Sequence, residues 1–245
     1  MKEFRADLHI HTVLSPCGNL EMSPQNIVRE ALKKNIDIIG ITDHNSTRQC
    51  RTVAREAEKA GLTVYTGVEI TTREEVHCLA FFETFDILEQ FQEYLDEHLP
   101  DIKNDPDRFG YQVAVDEDEN IVYEEPKLLI SGLSLGIDLI GDKVRSLNGL
   151  FIPAHVNRPK FSLISQLGFI PPDLKADALE LSRHTSREEF VRQFPYLLRR
   201  TFVRGSDAHC PEDIGTAFTL LKMEDVSFGE FRLALSGAGG REALL

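Results

Sequence analysis

The chain contains no tryptophan, three methionines and four cysteines among 245 residues. The cysteines, Cys17, Cys50, Cys78 and Cys210, form no C-x-x-C pair, and a chain of this size does not need disulfides to hold a core. No apolar run approaches the ~18 residues of a membrane helix, and the start, MKEFRADLHIH, lacks the apolar stretch of a signal peptide. No membrane is expected as a partner, and cytoplasmic localisation is the default expectation. A basic stripe is also missing: the formal net charge is -13, and Arg199-Arg200 is the densest basic pair. Phosphate contacts dominate the affinity of nucleic-acid binders, so long nucleic acid is not expected as a partner. A compact anion stays open if something local reverses the sign.

What is present is a β-rich run alternating with amphipathic segments. Residues 4–10, 36–42, 62–68, 75–82, 150–154, 177–181 and 201–205 read as strands. Ser23-Pro24 reads as a cap followed by proline at the first helical position; Ser46 is a candidate cap for a helix running to Ala60, with Gly61 as its stop. Further helical patterns cover 86–98, 138–148, 186–195 and 227–236. Seven strands with mostly helical crossovers predict an α/β barrel or open sheet. Residues 99–135 break the rhythm. There YQVAV and NIVYEE flank the acidic turn DEDE, which predicts a β-hairpin inserted into a single domain over 1–245.

Seven of the eight histidines fall beside a predicted strand end; His98, at a helix end, does not. Active sites of α/β barrels gather at the carboxyl ends of strands. In DLHIH, strict alternation would place Asp7, His9 and His11 on one face and Leu8 and Ile10 on the other. Burying such a polar trio costs several kcal/mol (~2–7 for each group left without a partner), which a metal offsets. TDHNS brings Asp43 and His44 to the next strand end. GVE and EVHC bring Glu69 and His77 to one end if their strands form a hairpin, PAH supplies His155, and SDAH supplies Asp207 and His209. Each signature alone has an ordinary reading, such as a helix cap or a histidine satisfied by a carbonyl. The ordered set H-x-H, DH, E, H, H, D-x-H at one rim is far more specific.

That set resembles the polymerase and histidinol phosphatase (PHP) family of phosphoesterases, and the resemblance runs through nearly the whole chain. It implies a distorted (βα)7 barrel, departing from the minimal pattern by the insertion around 99–135. It also implies three divalent ions (zinc, manganese or iron). His9, His11, Glu69 and Asp207 would hold the first; Glu69 would bridge to a second completed by His77 and His155; His44 and His209 would hold the third. Some members carry a histidine six residues after the second His, and Cys17 stands there, which makes it the candidate last ligand and would favour zinc or iron over manganese. Asp7 and Asp43 are candidates to orient imidazoles from behind. Arg158, Arg183 and His184 are candidates to hold substrate.

The resemblance implies hydrolysis of a small phosphate ester by a metal-activated water, with Glu69, Asp207 and His209 at the reacting centre and His209 or a metal-bound water protonating the leaving group. Three divalent ions leave the cluster positive despite its acidic ligands, which explains how an acidic protein attracts phosphate. The alternative is a phosphodiesterase or exonuclease acting on short oligonucleotides. A metal-stabilised scaffold and an amidohydrolase barrel, which also opens with H-x-H, fit the ligand set less well. Neither the substrate nor the oligomeric state is legible in the sequence.

Overall fold

The computed structural model describes residues 1–245. In chain order its elements are β1 (Lys2–Ile10), α1 (Pro24–Lys33), β2 (Ile38–Ile41), α2 (Cys50–Ala60), β3 (Thr63–Thr71), β4 (His77–Phe82), α3 (Phe85–His98), α4 (Pro106–Phe109), β5 (Val113–Val115), β6 (Ile121–Glu124), α5 (Ile137–Ser146), β7 (Leu150–Pro153), α6 (Leu163–Leu167), β8 (Leu179–Glu180), α7 (Arg187–Gln193), β9 (Phe202–Val203), β10 (Thr219–Met223), α8 (Phe228–Ser236) and β11 (Glu242–Leu244). Helix starts follow local chemistry: Ser23 caps α1 ahead of Pro24, and Gly61 ends α2 in the left-handed conformation. Ser46 does not cap α2. The helix begins at Cys50, because Thr47 N–H and the hydroxyls of Ser46 and Thr47 are taken by Gln92 Oε1.

The sheet order β11-β10-β1-β2-β3-β4-β7 is mixed. β1, β2 and β3 run parallel, while β4 lies antiparallel between β3 and β7. The expected hairpin of β3 and β4 sets Thr71 opposite His77, so Glu69 and His77 share one end. Backbone bonds close the ring. Val156 N–H reaches Glu180 O, β8 pairs in parallel with β9, and His11 N–H reaches Ala208 O. A seven-stranded α/β barrel results, distorted because β10, which the sequence reading did not anticipate, takes up the first half of β1 in antiparallel pairing.

Two apolar layers hold the barrel. The larger lies between sheet and helices; the smaller fills the barrel with Ala6, Leu8, Ile38, Leu79, Phe81 and Ile152 among others. α8 closes the inner layer at the end away from the strand carboxyl termini, where Phe231 stacks on Tyr65 with centroids 4.4 Å apart. Fully burying one such side chain contributes roughly 1.5–3 kcal/mol.

β1 does not alternate throughout. Its pairing with β2 shifts register between Asp7 and Ile10. Leu8 belongs to the inner layer and Ile10 to the outer one, so a bulge reverses the facing within the DLHIH segment. Gly40 of β2 makes room for it, since a Cβ there would lie 2.5 Å from Leu8 O. This corrects the expectation that Asp7 shares a face with His9 and His11. The inserted hairpin β5–β6 packs beside the same rim: Val113 and Val115 meet Val13, and Gln49 bonds both ways with Val115.

Candidate metal centre

The carboxyl ends of β1, β3 and the segment after β9 converge. His9, His11, Glu69 and Asp207 offer ligand atoms all within 4.8 Å of one another, as do His44, Glu69 and His77, and His11, His44 and His209. Within the first group, His9 Nε2 and His11 Nε2 are 3.2 Å apart; each lies 3.3 Å from Asp207 Oδ1 and 3.3 Å from an oxygen of Glu69. Ligands at zinc distances on a tetrahedron stand about 3.3 Å apart. Glu69 is the hub: its Oε1 is 2.8 Å from His77 Nδ1 and 3.2 Å from His155 Nε2, and its Oε2 is 3.0 Å from His44 Nδ1.

Supporting groups fix which nitrogens face inward. Glu180, buried on β8, accepts from His9 Nδ1 at 3.0 and 3.1 Å. His11 Nδ1–H donates to Ser15 Oγ (2.9 Å), which donates to Asp43 Oδ1 (2.7 Å); Asp43 also accepts from Thr12 N and Oγ1, both at 2.7 Å. Both histidines therefore present a bare Nε2 to the same point, an arrangement that a cation satisfies. His209 Nδ1–H donates to Asp207 O at 2.8 Å, which leaves Nε2 with a free lone pair for a cation. Asp43 thus orients His11 through a serine rather than directly. Asp7 touches no imidazole: its two oxygens accept from Ser206 N (2.8 Å) and Gly215 N (2.7 Å), fixing the loop that carries Asp207 and His209.

Three buried polar atoms without a hydrogen bond lie here: His44 Nδ1, His155 Nδ1 and Asp207 Oδ2. His44 Nδ1 is close to Glu69 and Asp207 Oδ2 is 2.5 Å from Arg158 Nη1, but neither contact has hydrogen-bond alignment. His155 and Asp207 also carry positive φ, 28° and 54°, a strain of about 1–3 kcal/mol each that a functional rim sustains. The residues present fit a cluster of divalent cations.

Without a cation the charges redistribute. Burial alone would lower His11, but its bonds to Asp207 and Glu69 outweigh burial and raise it to about 9; Glu180, Asp207 and Glu69 likewise hold His9 well above the usual range. Burial, with the nearby His11 charge, lowers His44 to about 3 and His209 to about 4. Burial opposes ionisation of Glu69 and Asp207, yet the surrounding imidazoles keep both below the usual carboxylate range.

Cys17 departs from expectation: it is exposed and belongs to none of the three donor groups. Although the residue as a whole is exposed, partial withdrawal of its thiol from water, then the charges of Glu69, Asp207 and Asp43, push the thiol up to about 12 in the metal-free protein. The turn Ser15–Gly18 explains its placement, because Ser15 is committed to His11 and Asp43 while Gly18 N–H closes back on Ser15 O.

Beside the cluster opens a cleft of about 220 Å³ with no hydrophobic lining. Arg158, Arg183 and His184 line it together with His155, Asp207 and His209. Arg158 reaches toward Asp207, and Arg183 is 3.3 Å from Asp213 Oδ1. The sequence reading missed Glu180 and Ser15. The signal for Glu180 was an acid set between two leucines in the strand run DALEL; Ser15 carried none.

Comparison with known proteins finds relatives in sequence and in fold. The chain is 29% identical over 278 aligned positions to the uncharacterized protein YqxK of Bacillus subtilis, covering all of this chain and 65% of that one, so it spans slightly less than two thirds of that relative. Its fold resembles the lesion-specific endonuclease PfuEndoQ from Pyrococcus furiosus, with TM-score 0.78 and 23% identity over 100% of this chain and 58% of the other. An endonuclease Q complex with a 27-mer duplex bearing an abasic lesion at its active site superposes with TM-score 0.77 and 23% identity, over 98% of this chain and 58% of that one. A putative metal-dependent phosphoesterase from Bifidobacterium adolescentis gives TM-score 0.54 at 22% identity, over 83% of this chain and 87% of the other. At these identities the likeness is one of fold. The PHP domain family matches residues 7–137, more than half of the chain and the part carrying His9, His11, His44, Glu69 and His77; the chain belongs to the PHP domain family.

Proposed function

We propose that this chain is a metal-dependent phosphoesterase whose ions sit among His9, His11, Glu69, Asp207, His44, His77, His155 and His209. The reading rests on one observation above all: five donor-to-donor separations of 3.2–3.3 Å among His9, His11, Glu69 and Asp207. When bound, divalent ions supply an activated water and neutralise charge on the phosphoryl oxygens. The protein's own residues do the rest. Glu69 shares its two oxygens between two of the three donor groups and so sets their spacing. Asp207 anchors the first group and draws Arg158 over the cleft. Arg158 and Arg183 offer guanidinium groups to a phosphate at the cleft wall. His209 serves as a donor rather than a free acid, since its Nδ1 is committed to the Asp207 carbonyl.

The substrate we infer is a phosphodiester within nucleic acid, supported by the whole-chain fold similarity to endonuclease Q. A small phosphomonoester is the second reading, favoured by the 220 Å³ polar cleft and the net charge of -13. The test is hydrolysis by chelator-stripped protein reloaded separately with zinc, manganese or iron. Substrates are p-nitrophenyl phosphate, bis-p-nitrophenyl phosphate and an abasic-site duplex. Cleavage of the diester and the duplex above the monoester supports the first substrate, and the reverse order the second. No turnover with any metal rejects the phosphoesterase reading.

A further inference from the structure

We propose that Glu180 is a positioning residue of the metal centre, a single buried carboxylate that aims His9 at the cations and holds the strained turn that carries His155. The inference rests on the metal-dependent reading above. Glu180 is 2% exposed and lies on β8, between the strands that bring in His155 and Asp207. Its Oε1 and Oε2 lie 3.1 and 3.0 Å from His9 Nδ1, while Oε2 also accepts the main-chain N–H of His155 at 2.8 Å. The same residue's carbonyl receives Val156 N–H, so the turn after β7 is tied to Glu180 at two successive amides. His155 has φ of 28°, a conformation that needs such external support.

Glu180 supplies no atom to any of the three donor groups. Its oxygens face the outer nitrogen of His9, and they fix the tautomer that leaves Nε2 toward His11, Glu69 and Asp207. The segment after β9 leaves space for this pairing: a Cβ on Gly205 would stand 2.6 Å from His9 Cβ and 3.0 Å from Glu180 Oε1. The rival reading is a carboxylate that only stabilises the barrel wall. It predicts loss of stability without a specific change at the cations.

The full chain with Glu180→Ala and with Glu180→Gln tests this. Zinc affinity is read by competition with a chromophoric chelator, the cobalt-substituted protein by its visible absorption, and the metal-free proteins by thermal melting. Glu180→Ala is expected to weaken the tightest zinc site about 10–100-fold and to alter the cobalt spectrum. Glu180→Gln, whose amide oxygen still accepts a hydrogen bond, is expected to recover part of that loss. Wild-type zinc affinity and cobalt spectrum in Glu180→Gln, together with an Ala variant whose only defect is a lower melting temperature, overturn the proposal. A wild-type chain that takes up no metal rejects the phosphoesterase reading itself, an outcome distinct from equal loading of wild type and variants.

Discussion

What stands behind a histidine decides which of its nitrogens can serve a cation. For His11 that backing is Ser15 and, through it, Asp43. Asp43→Ala removes the acceptor of Thr12 and Ser15 together, and zinc affinity measured by chelator competition is expected to fall about 10–100-fold. Cys17→Ser is expected to leave the bound metal count, measured by elemental analysis, unchanged, because the thiol stands outside the donor groups. The protonation pattern of the stripped protein gives a signed pH prediction. His11, raised to about 9, adds stability that is complete below its unfolded value of about 6.5 and is lost as pH climbs through 9. His44 and His209, held down to about 3 and 4, cost stability as pH falls from about 6.5 toward those values. Melting temperature of chelator-treated protein should therefore peak near neutrality. Zinc must displace the His11 proton, so affinity should rise with pH up to about 9, with proton release visible by calorimetry in buffers of different ionisation enthalpy.

Among the elements, the bulge in β1 carries the most consequence. A regular strand would pair Asp7 with His9 and His11; the shift before Ile10 instead sends Asp7 to pin the Ser206 and Gly215 amides. Gly40 permits the close approach of Leu8, and Gly40→Ala is expected to cost about 1–3 kcal/mol through overpacking. That corresponds to a Tm loss of roughly 2–4 °C per kcal/mol in a chain of this length, readable by differential scanning calorimetry. The strands, the helices beginning at Pro24 and Phe85 and the hairpin at 113–124 were legible because cap residues and apolar periodicity act locally. The bulge was not, since it arises where backbone from another strand presses on β1. β10 escaped notice for a similar reason: TLLKM alternates over only five residues, and its place is fixed by pairing with Lys2–Ala6.

For the molecule as a whole, the charge of -13 and the polar cleft set the electrostatics. Only Arg158 and Arg183 offer guanidinium groups at the cleft, so the nucleic-acid substrate proposed above predicts a shallow salt dependence for duplex binding. A log–log slope of about -2 is expected, following ~0.9 per neutralised phosphate, and is measured by fluorescence anisotropy of labelled duplex at several salt concentrations. Arg158→Ala should raise KM about 10–150-fold, on the scale of a charged hydrogen bond worth about 1.5–3 kcal/mol, with metal content unchanged. No helix is long and apolar enough to cross a membrane.

The sequence by itself determined the chemistry on offer: imidazoles and carboxylates in a fixed order at strand ends, and an α/β barrel to carry them. Those features are written in residue type and short-range periodicity, which the chain expresses locally. Only the tertiary structure decided which nitrogen of each histidine faces inward, that Glu180 backs His9, that Asp7 serves a loop and that Cys17 stays outside. Each of those depends on contacts between residues far apart in the chain, where the register of one strand against another sets what a side chain meets.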